Sequence, residues 1–545
     1  MKSWQGIRHL TALDRLDELV KQTPDRVFAR FGDWAPNYAE IDARATELAG
    51  QLHELGVRAG ERVATLSPNR YELLELFVGV ARLGAIQVPL NPYLKGEFLS
   101  HQLRDSRAAT VITDALGWKA VRPLLPELPF VERVVLLDPE ELDAPEDRGA
   151  AEVPRPGVPV VRYHAMPAGT APRSDVGPED TMAIIYTSGT TGQPKGCVLS
   201  HGYYTRAGQT LAEMMRLTEE DVFLTPLPLF HGGGQLISIM PSLMAGIPIV
   251  VIPVFSASGF FETAARVGAT VANAVGAMGA MLLATPEGPF DRAHRLRLFN
   301  VSPLASSLHP TFRDRFGVDP WTESYGQTEC VFQLLNSPYG ERDRDSNGKP
   351  LRDLEVELLD DDGHRVPDGT VGEICLRPRH RFAMFDGYWG RPAETVEAFK
   401  GMWYHTGDFG MVRESGAIRF VDRKKDALRV RGENVSSIEL EVGLARHPQI
   451  AEAGVHGVAS EMGEDDIKAC LVLEPGARVD PAELFAWMRE NLPYFAVPRY
   501  VEIVETLPKN QVNRIQKHLL RERGLTEGTW DHRALGLVIG RDGRR

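Results

Sequence analysis

The first part of the chain has a helical spacing of hydrophobic positions. Within residues 39–55, apolar side chains recur every three or four positions. Four of them would share one face of a helix: Ile41, Ala45, Leu48 and Leu52. The pattern predicts an amphipathic helix with one buried face.

Short apolar runs follow, separated by a second helical pattern. Residues 63–66 and 86–90 predict buried strands, and residues 72–83 between them predict a helix that Gly84 ends. Strands that alternate with helices are typical of parallel sheets with helices on their faces. The expected fold class is therefore α/β, with a large N-terminal domain built on parallel sheets.

The pattern changes in the last third of the chain. Residues 353–360, 372–376 and 417–421 predict short strands between Asp and Gly turns, which indicates a β-rich subdomain. From residue 422 a basic cluster precedes further helix and strand patterns. We expect a large domain at 1–421, a small mobile α+β domain at 422–523, and a polar tail at 524–545.

Two stretches without charged residues have to be weighed as membrane spans. Residues 232–261 contain Pro241, Pro248 and Pro253, which break the stretch into short runs. Residues 267–286 are rich in Gly and Ala. Buried strands and helices of an α/β core explain both stretches better than a bilayer span.

Composition and charge narrow the class of partner. A chain of 545 residues exceeds the size at which a single core keeps growing, so at least two domains are expected. The 61 Lys and Arg against 74 Asp and Glu leave a net charge of −13, which repels a phosphate backbone. We expect no nucleic-acid or membrane partner. The sequence does not determine the oligomeric state, for which a homodimer is the common default.

The cysteines and the first residues indicate a compartment. Cys197, Cys330, Cys375 and Cys470 are scattered without a CxxC pair, so a disulfide framework or zinc knuckle is not expected. The chain starts without an apolar core of signal-peptide length. The expected location is the reducing cytoplasm.

A loop rich in hydroxyls and glycine carries the first candidate chemistry. Residues 187–196 read Thr-Ser-Gly-Thr-Thr-Gly-Gln-Pro-Lys-Gly, directly after an apolar run at 183–186. Backbone N–H groups of such a loop can approach phosphate oxygens, and Lys195 adds a point charge. It is not a Walker P-loop, because Gly196 rather than Ser or Thr follows the lysine. A flexible polar turn is the alternative.

This loop and five further segments together resemble a known family. The five segments, in the family's order, are residues 226–231 (Pro-Leu-Pro-Leu-Phe-His), 325–329 (Tyr-Gly-Gln-Thr-Glu), 403–408 (Trp-Tyr-His-Thr-Gly-Asp), 422–426 (Asp-Arg-Lys-Lys-Asp) and 431–435 (Arg-Gly-Glu-Asn-Val). They resemble the motifs of adenylate-forming enzymes, the superfamily of acyl-CoA synthetases, peptide-synthetase adenylation domains and luciferases. The amino-acid sequences at 431–434 and at 276–278 are most similar to those of the carnitine and crotonobetaine CoA-ligase branch.

The resemblance implies a set of nucleotide contacts. The residues implied for the β- and γ-phosphates of ATP are Thr187, Ser188, Gly189, Thr190, Thr191 and Lys195. Those implied around the adenine, the α-phosphate and the acyl group are Ser302, Pro303, Tyr325, Gly326, Gln327 and Thr328. Asp408 would accept both ribose hydroxyls, since an ionised carboxylate only accepts, and Arg423 would contact the same ribose. Taken alone, Asp408 is an ordinary turn residue.

The metal, the gate and the hinge are implied in the same way. Glu329 would coordinate Mg²⁺, a hard cation that prefers carboxylate and phosphate oxygens; alone it is a solvated surface carboxylate. His231 would gate the carboxylate and thiol path, or is merely a turn histidine. Lys425 falls at the family's hinge and Gly432 in its thiol-step segment, while the alternative for the basic cluster is a solvated turn.

The implied reaction has two steps. An oxyanion attacks the α-phosphorus of ATP, which gives an acyl-adenylate and pyrophosphate, and a thiol, usually that of coenzyme A, then displaces AMP. Alignment and charge stabilisation drive such chemistry. The hinge implies that the C-terminal domain rotates between the steps. The expected cofactors are ATP, Mg²⁺ and coenzyme A.

The chain departs from the family where the catalytic lysine is expected. Residues 507–517 align with that segment, but the Gly-Lys pair is replaced by Asn513 and Arg514. Arginine keeps the charge as a longer, planar group. A misplaced donor at such a site costs about 3 kcal/mol, or about a hundredfold in rate. Arg514 is the first candidate for the catalytic cation, Lys517 the second, and neither of them the third.

A second departure lies upstream of the Tyr-Gly motif. Residues 300–304 read Asn-Val-Ser-Pro-Leu where relatives carry Gly-Ala-Pro. Val301 adds a branched side chain, which either reshapes the substrate pocket or has no functional effect.

Three functions are therefore compared. The first is a carboxylate–CoA ligase with an acyl-AMP intermediate. The second keeps the adenylation but changes the other reactant to an amine, a carrier protein, or nitrite activated for aryl-amine diazotisation. The third is a non-catalytic nucleotide-binding protein. Retention of Lys195, Glu329 and Asp408 argues against the third. The sequence does not select the substrate.

Overall fold

The protein consists of two compact units. The computed structural model describes residues 10–137, 157–171, 174–187, 193–423, 427–430, 433–460, 464–508, 515 and 517–537. The first unit comprises Met1–Pro92, Leu103–Tyr186 and Gly196–Asp422. The second comprises Tyr93–Gln102, Thr187–Lys195 and Arg423–Arg545. The sequence-based bounds, which assign the two inner segments to the large domain, stay a prediction.

Two sheets dominate the first unit. Their strands, in chain order, are β1 (Ala29–Arg30), β2 (Arg62–Leu66), β3 (Ile86–Leu90), β4 (Thr110–Thr113), β5 (Arg133–Leu136), β6 (Val160–Arg162), β7 (Thr181–Thr187), β8 (Lys195–Ser200), β9 (Phe223–Thr225), β10 (Ile249–Val251), β11 (Val271–Val275), β12 (Leu298–Ser302) and β13 (Pro320–Trp321). One sheet has the order β6-β5-β4-β2-β3-β7-β8 and the other β1-β10-β9-β11-β12-β13. The pairs of β2 with β3 and β4, and of β11 with β9 and β12, are parallel.

Helices alternate with these strands along the chain. They are α1 (Ala12–Gln22), α2 (Tyr38–Glu54), α3 (Glu72–Arg82), α4 (Gly96–Ser106), α5 (Ala115–Val121), α6 (His201–Met214), α7 (Gly232–Gly234), α8 (Met240–Ala245), α9 (Phe260–Val267), α10 (Gly276–Ala284) and α11 (His309–Phe316). A π-helical turn, Gln235–Ile239, joins α7 to α8. The expected α/β class with parallel sheets is confirmed.

Helix α2 shows how the sequence pattern becomes structure. The Asn37 side chain accepts a hydrogen bond from the Glu40 amide at 2.8 Å, and the Glu40 carboxylate accepts one from the Asn37 amide. These two bonds satisfy amides that have no partner within the helix. The four apolar positions predicted to share a face are all fully buried. The helix predicted for residues 39–55 is confirmed, within one residue at each end.

Antiparallel sheets follow along the chain. Their strands are β14 (Ser324–Gln327), β15 (Cys330–Leu335), β16 (Lys349–Pro350), β17 (Leu354–Leu359), β18 (Val371–Pro378), β19 (Tyr404–Val412) and β20 (Ile418–Arg423). The first three form one sheet and the other four a second, in the order β17-β18-β19-β20. Helix α12 (Pro392–Ala398) lies between β18 and β19 in sequence. The predicted β-rich subdomain is confirmed.

The second unit mixes strands and helices. Its strands are β21 (Ala427–Val430), β22 (Glu433–Ser436), β23 (Ile450–Ala459), β24 (Asp465–Leu473), β25 (Tyr500–Ile503) and β26 (Thr529–Asp531), and its helices are α13 (Ser437–Leu444), α14 (Pro481–Asn491) and α15 (Lys517–Arg523). A fully buried ion pair joins Lys468 Nζ on β24 to Glu502 Oε2 on β25 at 2.5 Å.

The two uncharged stretches form strands and helices of the first unit. The stretch at 232–261 forms α7, the π-helical turn, α8, β10 and the start of α9, and the stretch at 267–286 forms β11 and α10. In the part of the chain that the structure describes, no helix is both long enough and apolar enough to cross a bilayer. The four cysteines are buried, and none of them forms a disulfide bond.

Candidate functional site

Asp408 lies in a sharp bend of strand β19. Gly407 has a φ of +72°, a left-handed conformation that glycine adopts without strain. The Asp408 amide donates to Thr406 Oγ1 at 3.1 Å, and that hydroxyl donates to the Ile374 carbonyl at 2.7 Å. The Asp408 side chain is only 3% exposed. The motif therefore holds a carboxylate at a defined place in the sheet.

Two residues of the Tyr-Gly-Gln-Thr-Glu segment donate to this carboxylate. Tyr325 Oη donates to Asp408 Oδ2 at 2.6 Å, and Gln327 Nε2 donates to the same oxygen at 2.9 Å. Gln327 Nε2 also donates to the Thr406 carbonyl at 2.9 Å. Tyr325 and Gln327 are 83 and 81 residues away from Asp408 in sequence. Two distant motifs therefore form one hydrogen-bonded cluster.

The turn after Gln327 is anchored by a buried tyrosine. Tyr203, fully buried on α6, donates its hydroxyl to the Thr328 carbonyl at 2.9 Å and accepts from the Val331 amide at 2.6 Å. Gly326 allows the two strands to approach, because a Cβ there would lie 1.8 Å from the Val331 carbonyl oxygen. The backbone at Thr328 is therefore positioned by the Tyr203 hydroxyl and by the close approach of the two strands at Gly326.

Glu329 is buried and held by a second tyrosine. Its side chain is 8% exposed, and Oε1 accepts a hydrogen bond from Tyr388 Oη at 2.9 Å. Burial, and then the charge of Glu329, raise the pKa of Tyr388 well above its ordinary value, and burial does the same to the pKa of Tyr404. Both phenols therefore stay protonated and neutral beside the carboxylate. A carboxylate in such a neutral surrounding fits a hard cation such as Mg²⁺.

Glu373 fixes the bend of β19 from the neighbouring strand. Its Oε1 accepts from the Gly407 amide at 3.0 Å, and its Oε2 lies 3.0 Å from His405 Nδ1. Cys375 Sγ lies 3.4 Å from the same nitrogen. Glu373 was not among the predicted site residues, although a charged residue within the otherwise apolar run at 371–376 was an available signal. Tyr203 and Tyr388 carried no comparable signal.

Ser302 and Pro303 lie where β12 ends. Ser302 Oγ donates to the Thr322 carbonyl at 3.1 Å and accepts from Ser324 Oγ at 3.2 Å. Val301 points to the opposite face of the strand and is fully buried in an aromatic cluster with Phe299 and Phe312. A Cβ on Gly279 of α10 would lie 2.5 Å from Val301 Cγ1. Val301 therefore packs between the sheet and α10, which favours the interpretation that it has no functional effect.

His231 precedes the three glycines of α7. Its amide donates to the Pro228 carbonyl at 3.1 Å, and its own carbonyl accepts from the Gly234 amide at 3.0 Å. Its half-buried ring lies 4.6 Å from the ring of Phe230. It lies at the turn between β9 and α7, and its role as a gate stays a prediction.

The remaining predicted residues belong to the second unit. Thr187 ends β7, and Lys195 begins β8. Ser188, Gly189, Thr190, Thr191, Lys425, Gly432 and Arg514, together with the side chain of Arg423, lie outside the described residues.

Lys517 begins α15 and contacts α13. Its Nζ donates to Ser437 Oγ at 2.7 Å and pairs with Glu441 Oε1 at 2.8 Å. The two charged side chains are 10% and 14% exposed. The ammonium group is thus part of the packing of the second unit.

Known proteins resemble most of the chain. The family model for "AMP-binding enzyme" matches residues 16–389, and that for "AMP-binding enzyme C-terminal domain" matches residues 439–514. A crotonobetaine/carnitine–CoA ligase from Salmonella heidelberg (strain SL476) is 32% identical over 490 residues, 89% of this chain and 93% of that protein.

Solved structures agree with the family match. A double mutant of o-succinylbenzoate CoA synthetase (MenE) from Bacillus subtilis, bound with its product analogue OSB-NCoA, is 27% identical with a TM-score of 0.77, and covers 94% of this chain and 99% of its own. The amide bond synthetase McbA from Marinactinospora thermotolerans is 25% identical with a TM-score of 0.77, and covers 94% and 100%.

The resemblance drawn from the motifs is thus confirmed by sequence, by fold and by the extent of the match. Since one family model spans most of the first unit and a relative is nearly one-third identical over most of both chains, the protein belongs to the AMP-binding enzyme family of adenylate-forming ligases.

Proposed function

We propose that the protein is an ATP-dependent carboxylate–CoA ligase that forms an acyl-AMP intermediate. The observation that carries the proposal is the buried Asp408 carboxylate, which receives hydrogen bonds from Tyr325 and Gln327 of a distant motif. Such a carboxylate, with its orientation set by two donors, is suited to a ligand with paired hydroxyls such as a ribose. The names of the relatives, which include CoA ligases, support the same activity.

The nucleotide contacts follow from this assignment. Asp408 and Arg423 hold the ribose, and Thr328 donates to the α-phosphate. The hydroxyl-rich segment from Thr187 to Lys195 binds the β- and γ-phosphates. Glu329, whose Oε1 accepts a hydrogen bond from the neutral Tyr388, would hold Mg²⁺. The metal would supply charge neutralisation at the phosphates.

The chemistry balances over two steps. A carboxylate oxygen attacks the α-phosphorus, the bond to the bridging oxygen of the β-phosphate breaks, and pyrophosphate leaves with its electron pair. The thiolate of coenzyme A then attacks the acyl carbon, and AMP leaves. Arg514 stabilises the charge on the α-phosphate in the first step. Lys425 acts as the hinge, and Gly432 lies in the segment for the thiol step.

The test is a screen for pyrophosphate release over aliphatic acids, aryl acids and nitrite, with and without coenzyme A. We expect pyrophosphate with at least one carboxylic acid, and a CoA thioester by mass spectrometry when CoA is present. Glu329→Gln should lower the rate strongly, while Glu414→Gln, at an exposed position, serves as the matched control. Pyrophosphate release with nitrite alone, or with no acid at all, contradicts the proposal.

A second candidate function is amide formation from the same adenylate. The likeness to an amide bond synthetase at a TM-score of 0.77 favours it. Replacing CoA by a panel of amines in the same assay separates the two functions. An amide product formed faster than the thioester supports the second.

A further inference from the structure

The strands β11 and β12 present a polar band on one of their faces. They pair in register from Val271 opposite Leu298 to Val275 opposite Ser302. On one face, Val271 and Leu298 pack in the main hydrophobic core, but the next pair on that face is Asn273 and Asn300. The face therefore changes from apolar to polar half-way along the strands, towards the end where Ser302 lies.

The amide of Asn273 has a defined orientation. Its Nδ2 donates to Ser238 Oγ at 2.8 Å and lies 3.4 Å from the Ile237 carbonyl, which only accepts. The Ser238 hydroxyl donates to the Gly233 carbonyl at 3.0 Å, so its oxygen is left to accept from Nδ2. Oδ1 of Asn273 must therefore point the other way.

That oxygen has no donor among the described residues. Asn273 is 0% exposed, and Ser238 and Thr225 beside it are equally buried. Thr225 Oγ1 lies 3.1 Å from Ser238 Oγ and accepts from the Leu227 amide. Each of these neighbours is satisfied, so one acceptor of the band is left over. A buried acceptor without a partner costs free energy, and a ligand group that donates a hydrogen bond to it would remove that cost.

Asn273 itself is fully buried, but Asn300, which lies opposite it on β12, is half-buried, so the face opens directly beside Asn273. Its partner Ser238 lies in the π-helical turn, a rare feature that is frequent at functional sites. The preceding Gly232 and Gly233 carry no side chains, and a Cβ on either would meet only one leucine methyl, at 3.4 or 3.3 Å. Ser302 and Val275, at the end of the same face, are half-buried. With about 3.3 Å of rise per residue, Asn273 lies about 7 Å deeper than that end.

We propose that Asn273 is a specificity-determining residue whose Oδ1 accepts a hydrogen bond from a donor on the acyl chain, so that the substrate is a carboxylic acid bearing a hydroxyl or N–H group. The inference rests on the proposed function, because it places the acyl group beside the segment that follows His231. A depth of about 7 Å puts the donor on the chain and away from the carboxylate itself. An acid with a methyl group in place of the donor leaves Oδ1 buried and unpaired, and is disfavoured.

The test uses the full-length protein and matched sets of acids. One set consists of hydroxybenzoates, aminobenzoates and methylbenzoates substituted at the ortho, meta and para positions. The other consists of straight-chain acids with a terminal hydroxyl, amine or methyl group. The readout is the ratio of kcat/KM for pyrophosphate release between donor-bearing and methyl-bearing acids. We expect a ratio of about 10 to 100 in at least one set. Comparison of the hydroxyl-bearing with the amine-bearing acids then identifies which donor Asn273 prefers.

Variants at Asn273 separate recognition from packing. In Asn273→Leu the ratio falls towards one, because methyl-bearing acids keep their kcat/KM while donor-bearing acids lose theirs. Asn273→Asp retains an acceptor oxygen, so it keeps the preference and moves it towards amines. Ser242→Ala is the control, since its hydroxyl donates to the Ser238 carbonyl at 2.9 Å and faces no unpaired atom. Its ratio should equal that of the wild type.

Each outcome of these measurements either supports or overturns the role of Asn273. Active wild-type protein with a ratio near one in every set overturns the inference and leaves the proposed function intact. A preference that survives in Asn273→Leu, or an equal loss against all acids, also overturns it. If Asn273→Leu does not fold, the wild-type ratio and Asn273→Asp decide. No pyrophosphate with any acid overturns the proposed function and this inference together.

Discussion

At the scale of single residues, Asp408 shows how hydrogen-bond donors set the orientation of a buried carboxylate. The Asp408 carboxylate is 3% exposed and takes two hydrogen bonds on Oδ2. Hydrogen bonds to a charged group contribute about 1.5–3 kcal/mol each, about twice those between neutral groups. The same carboxylate is the group to which we assign the ribose, so its charge and its orientation both matter for nucleotide binding.

We predict that Asp408→Asn weakens ATP binding. An amide offers one acceptor oxygen instead of two and adds an N–H group that faces the donors of Tyr325 and Gln327. The KM for ATP should rise, and kcat/KM should fall about 10- to 100-fold. Pyrophosphate release against ATP concentration measures this, with the exposed Asp362→Asn as control. An unchanged KM for ATP would remove Asp408 from the ribose site.

His201 gives a prediction on pH. It is 1% exposed at the first position of α6, where the helix dipole also disfavours a cation, and burial lowers its pKa to about 4 from 6.5. Below pH 6.5 the unfolded chain binds a proton that the folded one does not, so stability falls as the pH falls. The loss between pH 7 and pH 5 should be about 2 kcal/mol.

The check on His201 is a comparison of urea unfolding at the two pH values. His201→Gln cannot titrate, so its free energy of unfolding should lose about 2 kcal/mol less than that of the wild type on acidification. Other histidines contribute equally to both proteins and cancel in the difference. Equal losses in both proteins would show that His201 is not the group responsible.

At the scale of elements, helix α10 packs unusually close to the end of β12. A Cβ on Gly276, the first residue of α10, would lie 1.4 Å from the Pro303 carbonyl oxygen. Gly279, three residues later, lies against the side chain of Val301, since a Cβ on Gly279 would lie 2.5 Å from Val301 Cγ1. Backbone contact of this kind sets the position of residues 301–303, and with them the face on which Ser302 lies.

We predict that Gly276→Ala destabilises the protein by about 1–3 kcal/mol and lowers adenylation more than thermal stability alone explains. The added methyl group forces Pro303, and therefore Ser302, to move. Gly288→Ala is the control, because the nearest atom to its Cβ would be Asp291 Oδ1 at 3.8 Å. Thermal unfolding and pyrophosphate release at 25 °C are measured on both. Wild-type values for Gly276→Ala would contradict the close approach.

At the scale of the whole molecule, our proposal assigns the cation that stabilises the α-phosphate to a residue of the second unit. Lys517 is bound to Ser437 and Glu441, and Glu441 Oε1 also accepts from the Val455 amide at 2.8 Å. Moving Lys517 would break these bonds and leave Glu441 partly buried without its counter-ion. This cost favours Arg514 as the residue that stabilises the α-phosphate.

We predict that Arg514→Ala lowers the rate of adenylate formation about a hundredfold, while Arg514→Lys keeps most of it. Lys517→Met should lower the thermal stability of the second unit and leave that rate within a few-fold. Single-turnover pyrophosphate release and differential scanning calorimetry measure the two effects. A hundredfold loss in Lys517→Met, with Arg514→Ala unaffected, would exchange the two roles.

The sequence by itself determined much of the architecture. Hydrophobic periodicity is a local property, so α2, β2 and β3 could be predicted within about two residues. The β-rich subdomain was predicted from its Asp and Gly turns in the same way. The family motifs are likewise contiguous, and they allowed the adenylate-forming family to be inferred before any contact was known.

Only the tertiary structure decided which of these residues meet. The hydrogen bonds of Asp408 with Tyr325 and Gln327, of Tyr388 with Glu329, and of Glu373 with the Gly407 amide join segments that are distant in sequence. The unpaired oxygen of Asn273 is visible only when both strands and the π-helical turn are in place. Periodicity assigns a residue to a face, but whether a buried polar atom finds a partner depends on the register of strands and helices that the chain brings together from far apart.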